Sequence, residues 1–292
     1  MMKPNLWKTK KNKFYKKLKL VKITASDVNK LRKTTGAGMM DCKNALVEAQ
    51  GDFDKAVENL RKKGQKIAAN RAERESSEGA VIAKVNSEKT IGVIVSLNCE
   101  TDFVAKNEKF IHLANEIAAL ALEYDDVNKL LEADFRGMSV SEKLIEQTGV
   151  IGEKIEIGNF KILKAPFVGF YIHAGNKIST LVGLSNKFEK SEEVAKNIAM
   201  QAAAMNPIAL NENEVDATII EKEIEIAKEQ LRQEGKPEEM LDNIAKGKIK
   251  RFFKDNTLVN QSYIKDNKIS VSDYIKSVGE IEITGFERVS LV

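Results

Sequence analysis

The chain has 292 residues, 42% of them hydrophobic and 31% charged. That is the composition of an ordinary water-soluble protein with length for two or three domains, each able to bury a core of its own. No uninterrupted apolar run approaches the roughly 20 residues that a bilayer span needs, which excludes helical membrane insertion and any expectation of a membrane partner. The formal charge of +4 is carried by the start of the chain: residues 1–22 hold nine lysines and no carboxylate, and the remainder has 38 basic against 43 acidic side chains.

A mildly acidic body lacks the excess positive charge of a dedicated nucleic-acid binder, so no specific nucleic acid is expected among the partners. The polybasic segment has neither the apolar stretch nor the small-residue cleavage site of a secretory signal, and it lacks the Arg and Ser enrichment of a transit peptide. Residues 1–22 are expected to be a solvated, disordered basic tail. The functional alternative for them is a weak, salt-sensitive contact with RNA.

Residues 23–64 read as three short helices. Thr24 and Asp27 stand at capping-box spacing ahead of Val28 and Leu31. Gly36 and Gly38 supply the freedom a tight turn needs after that helix. A second helix carries Ala45, Leu46 and Ala49, and a third carries Ala56, Val57 and Leu60 and is expected to end at Gly64. A domain of about 40 residues is marginal alone, so it is expected to dock on the rest of the protein or on a partner. Met39 and Met40 are adjacent and cannot both face one small core; one is expected to point outward, although Met also serves as an adaptable gap-filler.

Residues 65–78 are charged and small and read as a helical or flexible linker. An internal repeat follows. Residues 80–85 and 91–97 are β-branched runs across the polar turn 86–89, and a helix with Phe110, Leu113, Ala114, Ile117, Ala118 and Ala121 on one face comes next. Residues 168–172 and 179–184 repeat the hairpin across 174–177, followed by a helix with Ala195, Ile198, Ala199, Ala202 and Ala203. Two copies of a hairpin-plus-helix unit point to paired α+β subdomains, residues 79–165 and 166–292. The connection from strand to helix is about three residues longer in the first copy, and the extra length falls on Cys99-Glu100-Thr101-Asp102-Phe103-Val104-Ala105-Lys106. A longer strand-to-helix loop is a common place for working residues.

Two further helices are expected around Val127, Leu130 and Leu131 and through residues 141–145, and Ile151-Gly152-Glu153-Lys154-Ile155 leads into a strand ending near Leu163. After Pro207 the pattern turns to long helix: Ile220, Ile224, Ala227 and Leu231, then Leu241, Ile244, Ala245, Ile249 and Phe252 beyond Gly235-Lys236-Pro237. This is an antiparallel helical hairpin inserted at about residues 212–256. The chain then finishes in a strand-like alternation of Ile281, Ile283 and Phe286.

Chemistry-bearing residues are sparse. Cys42 and Cys99 have no second Cys or His at ligand spacing, and His112 and His173 are the only histidines. A Gly-x-x-x-x-Gly-Lys-Ser/Thr loop and a Gly-x-Ser-x-Gly elbow are both missing. A reducing, cytoplasmic setting is expected, with no metal, no cofactor and no enzymatic activity, and an interaction protein is the leading class.

Two segments carry a resemblance. Ile23-Thr24-Ala25-Ser26, Val28, Leu31-Arg32 and Thr35-Gly36-Ala37-Gly38-Met39-Met40-Asp41-Cys42-Lys43, followed by Asn98-Cys99-Glu100-Thr101-Asp102-Phe103-Val104-Ala105-Lys106, resemble the translation elongation factor Ts family. Ile151-Gly152-Glu153-Lys154-Ile155 and Tyr171-Ile172-His173-Ala174-Gly175 support it. The resemblance implies an α+β fold: a three-helix ubiquitin-associated-like domain, a duplicated α+β core, and a coiled-coil hairpin inserted in the second half.

It further implies a guanine-nucleotide exchange factor that binds elongation factor Tu, in its GDP-bound and nucleotide-free forms, and releases GDP so that GTP can follow. A GTPase grips GDP through backbone amides, a lysine and Mg²⁺, so displacing the metal weakens the strongest local charge contact. By resemblance Thr101, Asp102, Phe103 and Val104 dislodge the partner's Mg²⁺, with Phe103 as a wedge and Asp102 beside it. Met39 and Met40 correspond to a contact with the GTPase domain, Ile151 and Gly152 to a further contact loop, and His173 to a position near the interface. The residues by themselves also allow Asp102 as a helix cap, Phe103 as core and His173 as a structural histidine at a turn. A ubiquitin or nascent-chain binder is the alternative function class, though it leaves residues 99–106 and the duplicated core without a task.

Overall fold

A computed structural model describes residues 22–291; the tail expected to be disordered lies, but for Lys22, outside the described residues. The chain forms two compact units, one of residues up to Glu73 together with Ile145–Gly152, the other of Arg74–Leu144 with the residues from Glu153 onward. Among the described residues no helix is long and apolar enough to cross a membrane.

The first unit is helical: α1 (Ala25–Thr35), α2 (Met39–Glu48) and α3 (Phe53–Arg71). The capping box forms, the Thr24 side chain accepting from Asp27 N while the Asp27 carboxylate accepts from Thr24 N at 2.9 Å. Gly36 ends α1 at φ +73°, a left-handed conformation that costs a glycine nothing. Val28, Leu31, Cys42, Ala45, Leu46, Ala49 and Ala56 form the core, with Phe53, Val57 and Leu60 packed against it. Leu31 and Leu46 are fully buried, each contributing about 2 kcal/mol in removed apolar surface. Helix α3 does not end at Gly64 as its glycine predicts but continues to Arg71, through the first half of the expected linker. Gly64 has another purpose. It lies against Gly149, near the end of α7 (Val140–Ile151), a helix that runs on past the expected residues 141–145; a Cβ on Gly149 would stand 2.5 Å from Gly64 Cα. The glycine is a close-approach site between backbones, not a stop signal.

The second unit is built on two three-stranded antiparallel sheets. β1 (Glu78–Val85), β2 (Ile91–Cys99) and β3 (Glu156–Lys164) lie in the order β1-β2-β3; β4 (Phe167–Ile172), β5 (Ile178–Leu184) and β8 (Ile283–Ser290) lie in the order β4-β5-β8. In both sheets a hairpin leads and a strand from much later in the chain pairs with its second member, with a register irregularity at Ser96/Leu97 in one and Gly183/Leu184 in the other. Val81, Ala83 and Ile94 from the first sheet meet Val168, Leu181 and Val289 from the second in one cluster. The outer faces carry α5 (Glu108–Leu120) and α8 (Ser191–Met205), which bury Phe110, Leu113 and Ile117, and Val194, Ile198 and Ala202. Helix, sheet, sheet, helix is the layer order, so β1 and β2 are buried on both faces; this explains why their sequences run apolar almost continuously.

Between α5 and β3 run α6 (Val127–Glu132) and the first residues of α7; between α8 and β8 come the long α9 (Ala217–Gln233) and α10 (Glu238–Asn256). These two pair through Ala227, Leu231, Leu241, Ala245 and Ile249, which are buried. The legs meet at their base, where Ile208 N donates to Asn256 O and Leu258 N to Ala209 O. Beyond them the short β6 (Ser262–Tyr263), β7 (Asp266–Ser270) and α11 (Val271–Val278), for which the apolar pattern offers no expectation, complete the core around Tyr263, Val271 and Ile275.

Candidate functional site

The longer connection of the first copy contains a single helical turn, α4 (Asp102–Ala105), set between β2 and α5. Thr101 is its N-cap, in extended conformation, with its hydroxyl accepting from Val104 N. Asp102 is therefore not the cap. Its carboxylate instead takes a hydrogen bond from Lys106 Nζ at 2.7 Å, one turn along, and that ammonium holds the carboxyl below the usual carboxylate range. Only Ala105 of this turn is buried. Phe103 is 84% exposed, the most exposed of the large hydrophobic side chains described, and this disposes of a core role. An apolar ring held in water on a rigid scaffold has its burial still to gain.

The turn is anchored from behind. One oxygen of the Glu153 carboxylate accepts from the Glu100 and Thr101 amides at 3.2 and 3.0 Å, and the other accepts from the Thr101 hydroxyl at 2.7 Å. Glu100 answers by accepting from Lys154 N at 2.7 Å. Sequence reading missed this lacing because its partners are more than 50 positions apart; the one available signal is that Glu153 stands inside the quoted segment 151–155. Cys99, just before the turn, donates through Sγ to Thr101 O at 3.2 Å. Burial, with the Glu153 charge adding, pushes its thiol up to about 12.

His173 sits in the β4–β5 turn, exposed, with Nδ1 3.1 Å from the Tyr171 hydroxyl. That turn reaches the same end of the sheets as α4: Asn176 O accepts from Val81 N, Lys177 pairs with Glu78, and Glu78 faces Cys99 in the β1–β2 register. Lys106 also feels the Glu78 charge. His112, by contrast, is a surface residue of α5 that pairs with Glu116 at 3.4 Å.

In the helical unit both methionines leave the core, Met39 at 56% and Met40 at 64% exposure, one more than the outward-pointing Met that was expected. They are the first two residues of α2, whose buried face is set by Cys42, Ala45 and Leu46, and the first turn projects both side chains past it. Ile151 and Gly152 belong to this same unit. Ile151 is the last residue of α7 and Gly152 turns the chain at φ +84°, so that the segment 151–155 leads, as expected, into β3. Gly36, in the turn ahead of Met39, lies against Val150. The structure thus gathers Met39, Met40, Ile151 and Gly152 in one unit, and Thr101, Asp102, Phe103, Val104 and His173 in the other.

Cys42 and Cys99 are both buried free thiols, so a thiol reagent at pH 8 is expected to titrate neither in the native protein and both after unfolding. The unfolded chain releases the Cys99 proton near 9, the folded chain only near 12. Stability is expected to fall as pH rises through that window, and Cys99→Ala to flatten the fall; an alkaline denaturation series measures it.

Comparison with known proteins agrees with the motifs. The profile of the family described as Elongation factor TS matches residues 100–291. A protein named Elongation factor Ts from Christiangramia forsetii is 68% identical over 273 residues, covering 93% of this chain and 100% of that one. One of the same name from Flavobacterium psychrophilum is 64% identical, covering 92% and 98%, and one from Amoebophilus asiaticus 49% identical, covering 91% and 98%. At that identity across nearly its whole length, the chain belongs to the elongation factor Ts family.

Proposed function

We propose that the chain is the guanine-nucleotide exchange factor for elongation factor Tu, working in the cytoplasm on the GDP complex. It makes and breaks no covalent bond. The exposed Phe103 on its anchored turn carries this reading: the ring enters the partner's GTPase domain, Asp102 and Thr101 follow, and Mg²⁺ is displaced. Met39 and Met40 grip the same domain with flexible thioethers, while Ile151, Gly152 and His173 extend the contact. In family terms the helical unit is the ubiquitin-associated-like module, the two sheets with their helices are the duplicated subdomains, and α9–α10 is the coiled-coil hairpin.

The energetics set the size of the task. A GDP bound at nanomolar affinity holds by about 12 kcal/mol, so the factor needs a coupling of several kcal/mol between its own binding and nucleotide release. By reciprocity, incoming nucleotide expels the factor. Such a coupling calls for several separated anchors rather than one.

Stopped-flow release of a fluorescent GDP from elongation factor Tu tests the reading. Addition of the chain is expected to raise the release rate by orders of magnitude, and added Mg²⁺ to oppose it. Release at the spontaneous rate would sink the proposal and bring ubiquitin-type binding forward.

A further inference from the structure

Helix α4 has only four residues. Forming a first helical turn is unfavourable in isolation, because several dihedrals are fixed for one hydrogen bond. The direction of this turn must therefore come from its anchors. Of its four residues only Ala105 is buried, and Phe103, at 84% exposure, is aimed by its backbone and not by packing. The remaining anchor is the N-cap, and there the bonding runs in series: Val104 N donates to the Thr101 hydroxyl, and the Thr101 hydroxyl donates to Glu153. The amides of Glu100 and Thr101 converge on the same carboxylate. Bonds from neutral donors to a carboxylate are stronger than neutral pairs, and three on one group also fix an orientation.

We propose that Glu153 is a positioning residue for nucleotide exchange: by holding the Glu100 and Thr101 amides and the Thr101 hydroxyl, its carboxylate sets the direction in which α4 presents Phe103 to elongation factor Tu. The inference rests on the exchange function proposed above and adds a residue that acts through another without touching nucleotide or metal. It also gives the segment 151–155 a second task, since Glu153 follows directly on Ile151 and Gly152. Glutamine at this position has the same shape but no charge, and only one of its two terminal atoms accepts, so the bonds from the two amides and the Thr101 hydroxyl cannot all be kept at full strength and the anchor weakens without a cavity opening.

The test is a double-mutant cycle on the full chain: wild type, Glu153→Gln, Phe103→Ala and the double variant, each assayed for GDP release from elongation factor Tu. Amide hydrogen exchange at Glu100 and Thr101 is measured on the free protein. Glu153→Gln is expected to slow stimulated release about tenfold and to expose both amides to faster exchange. In the Phe103→Ala background the same change is expected to cost less than twofold, because the side chain it aims is gone. An equal loss in both backgrounds, unchanged release, or slower release with unchanged amide protection would each overturn the proposal. Should Glu153→Gln not fold, Glu153→Asp decides: it keeps the charge but draws it back by one methylene, and about threefold slower release is expected against no change. If wild type fails to accelerate release, the exchange function itself falls and takes the proposal with it; if wild type and Phe103→Ala differ while Glu153→Gln matches wild type, only the positioning role falls.

Discussion

Phe103→Ala is expected to slow stimulated GDP release between about tenfold and several hundredfold, while the melting temperature stays within about 2 °C of wild type. The range follows from the ring. Burying a Phe side chain is worth about 1.5–3 kcal/mol, a centrally placed aromatic anchor reaches about 4, and each 1.4 kcal/mol is a factor of ten. The free protein loses almost nothing, because a side chain 84% exposed contributes little to its core. Circular dichroism and a thermal melt recorded beside the kinetics separate the two effects. Unchanged release would move the wedge elsewhere on the surface; a large fall in melting temperature would contradict the exposure of the ring.

Gly79→Ala is expected to have the largest effect on stability, a loss of about 3 kcal/mol or more. Gly79 has φ +151°, and a Cβ there would stand 2.2 Å from Leu97 O and 2.9 Å from Asn98 Cα. Both atoms are backbone of β2, the central strand of its sheet, so nothing can rotate aside; the strands must separate where Gly79 pairs with Asn98. For a unit of this size a loss of that order lowers the melting temperature by about 10 °C. Gly137→Ala is the control, since Gly137 also has positive φ, +85°, but nothing within 4 Å of the added methyl; it should cost about 1 kcal/mol. The Gly79 pair lies next to Glu78 and Cys99, at the end of the sheet that carries α4, so exchange should weaken along with stability. Equal melting temperatures for the two variants would show that the β1–β2 ladder yields more easily than its geometry implies.

Local signals in the sequence match the structure where they concern neighbours along the chain. The capping box of α1 is spelled by Thr24 and Asp27, the two hairpins by β-branched runs around polar turns, and the long helices α9 and α10 by their apolar period. The same capping pattern, Ser270 with Asp273, opens α11, but the preceding β7 is too exposed to show an apolar alternation beside it.

What the sequence determined by itself, then, is where the capped helices, the two hairpins and the long helical pair lie and which segments bear the family's motifs, because capping, turn chemistry and periodicity act over a few residues. The tertiary structure alone decided what individual side chains do. Gly64 reads as a stop and is a contact with Gly149. Ile151 reads as the approach to a strand and ends a helix. Phe103 could be buried or exposed until the turn was placed, since four residues are too few for a period to declare an inner face. Glu153 stands in a motif segment, but nothing local shows what it holds, because its partners are brought to it from more than 50 positions away by the pairing of β2 with β3.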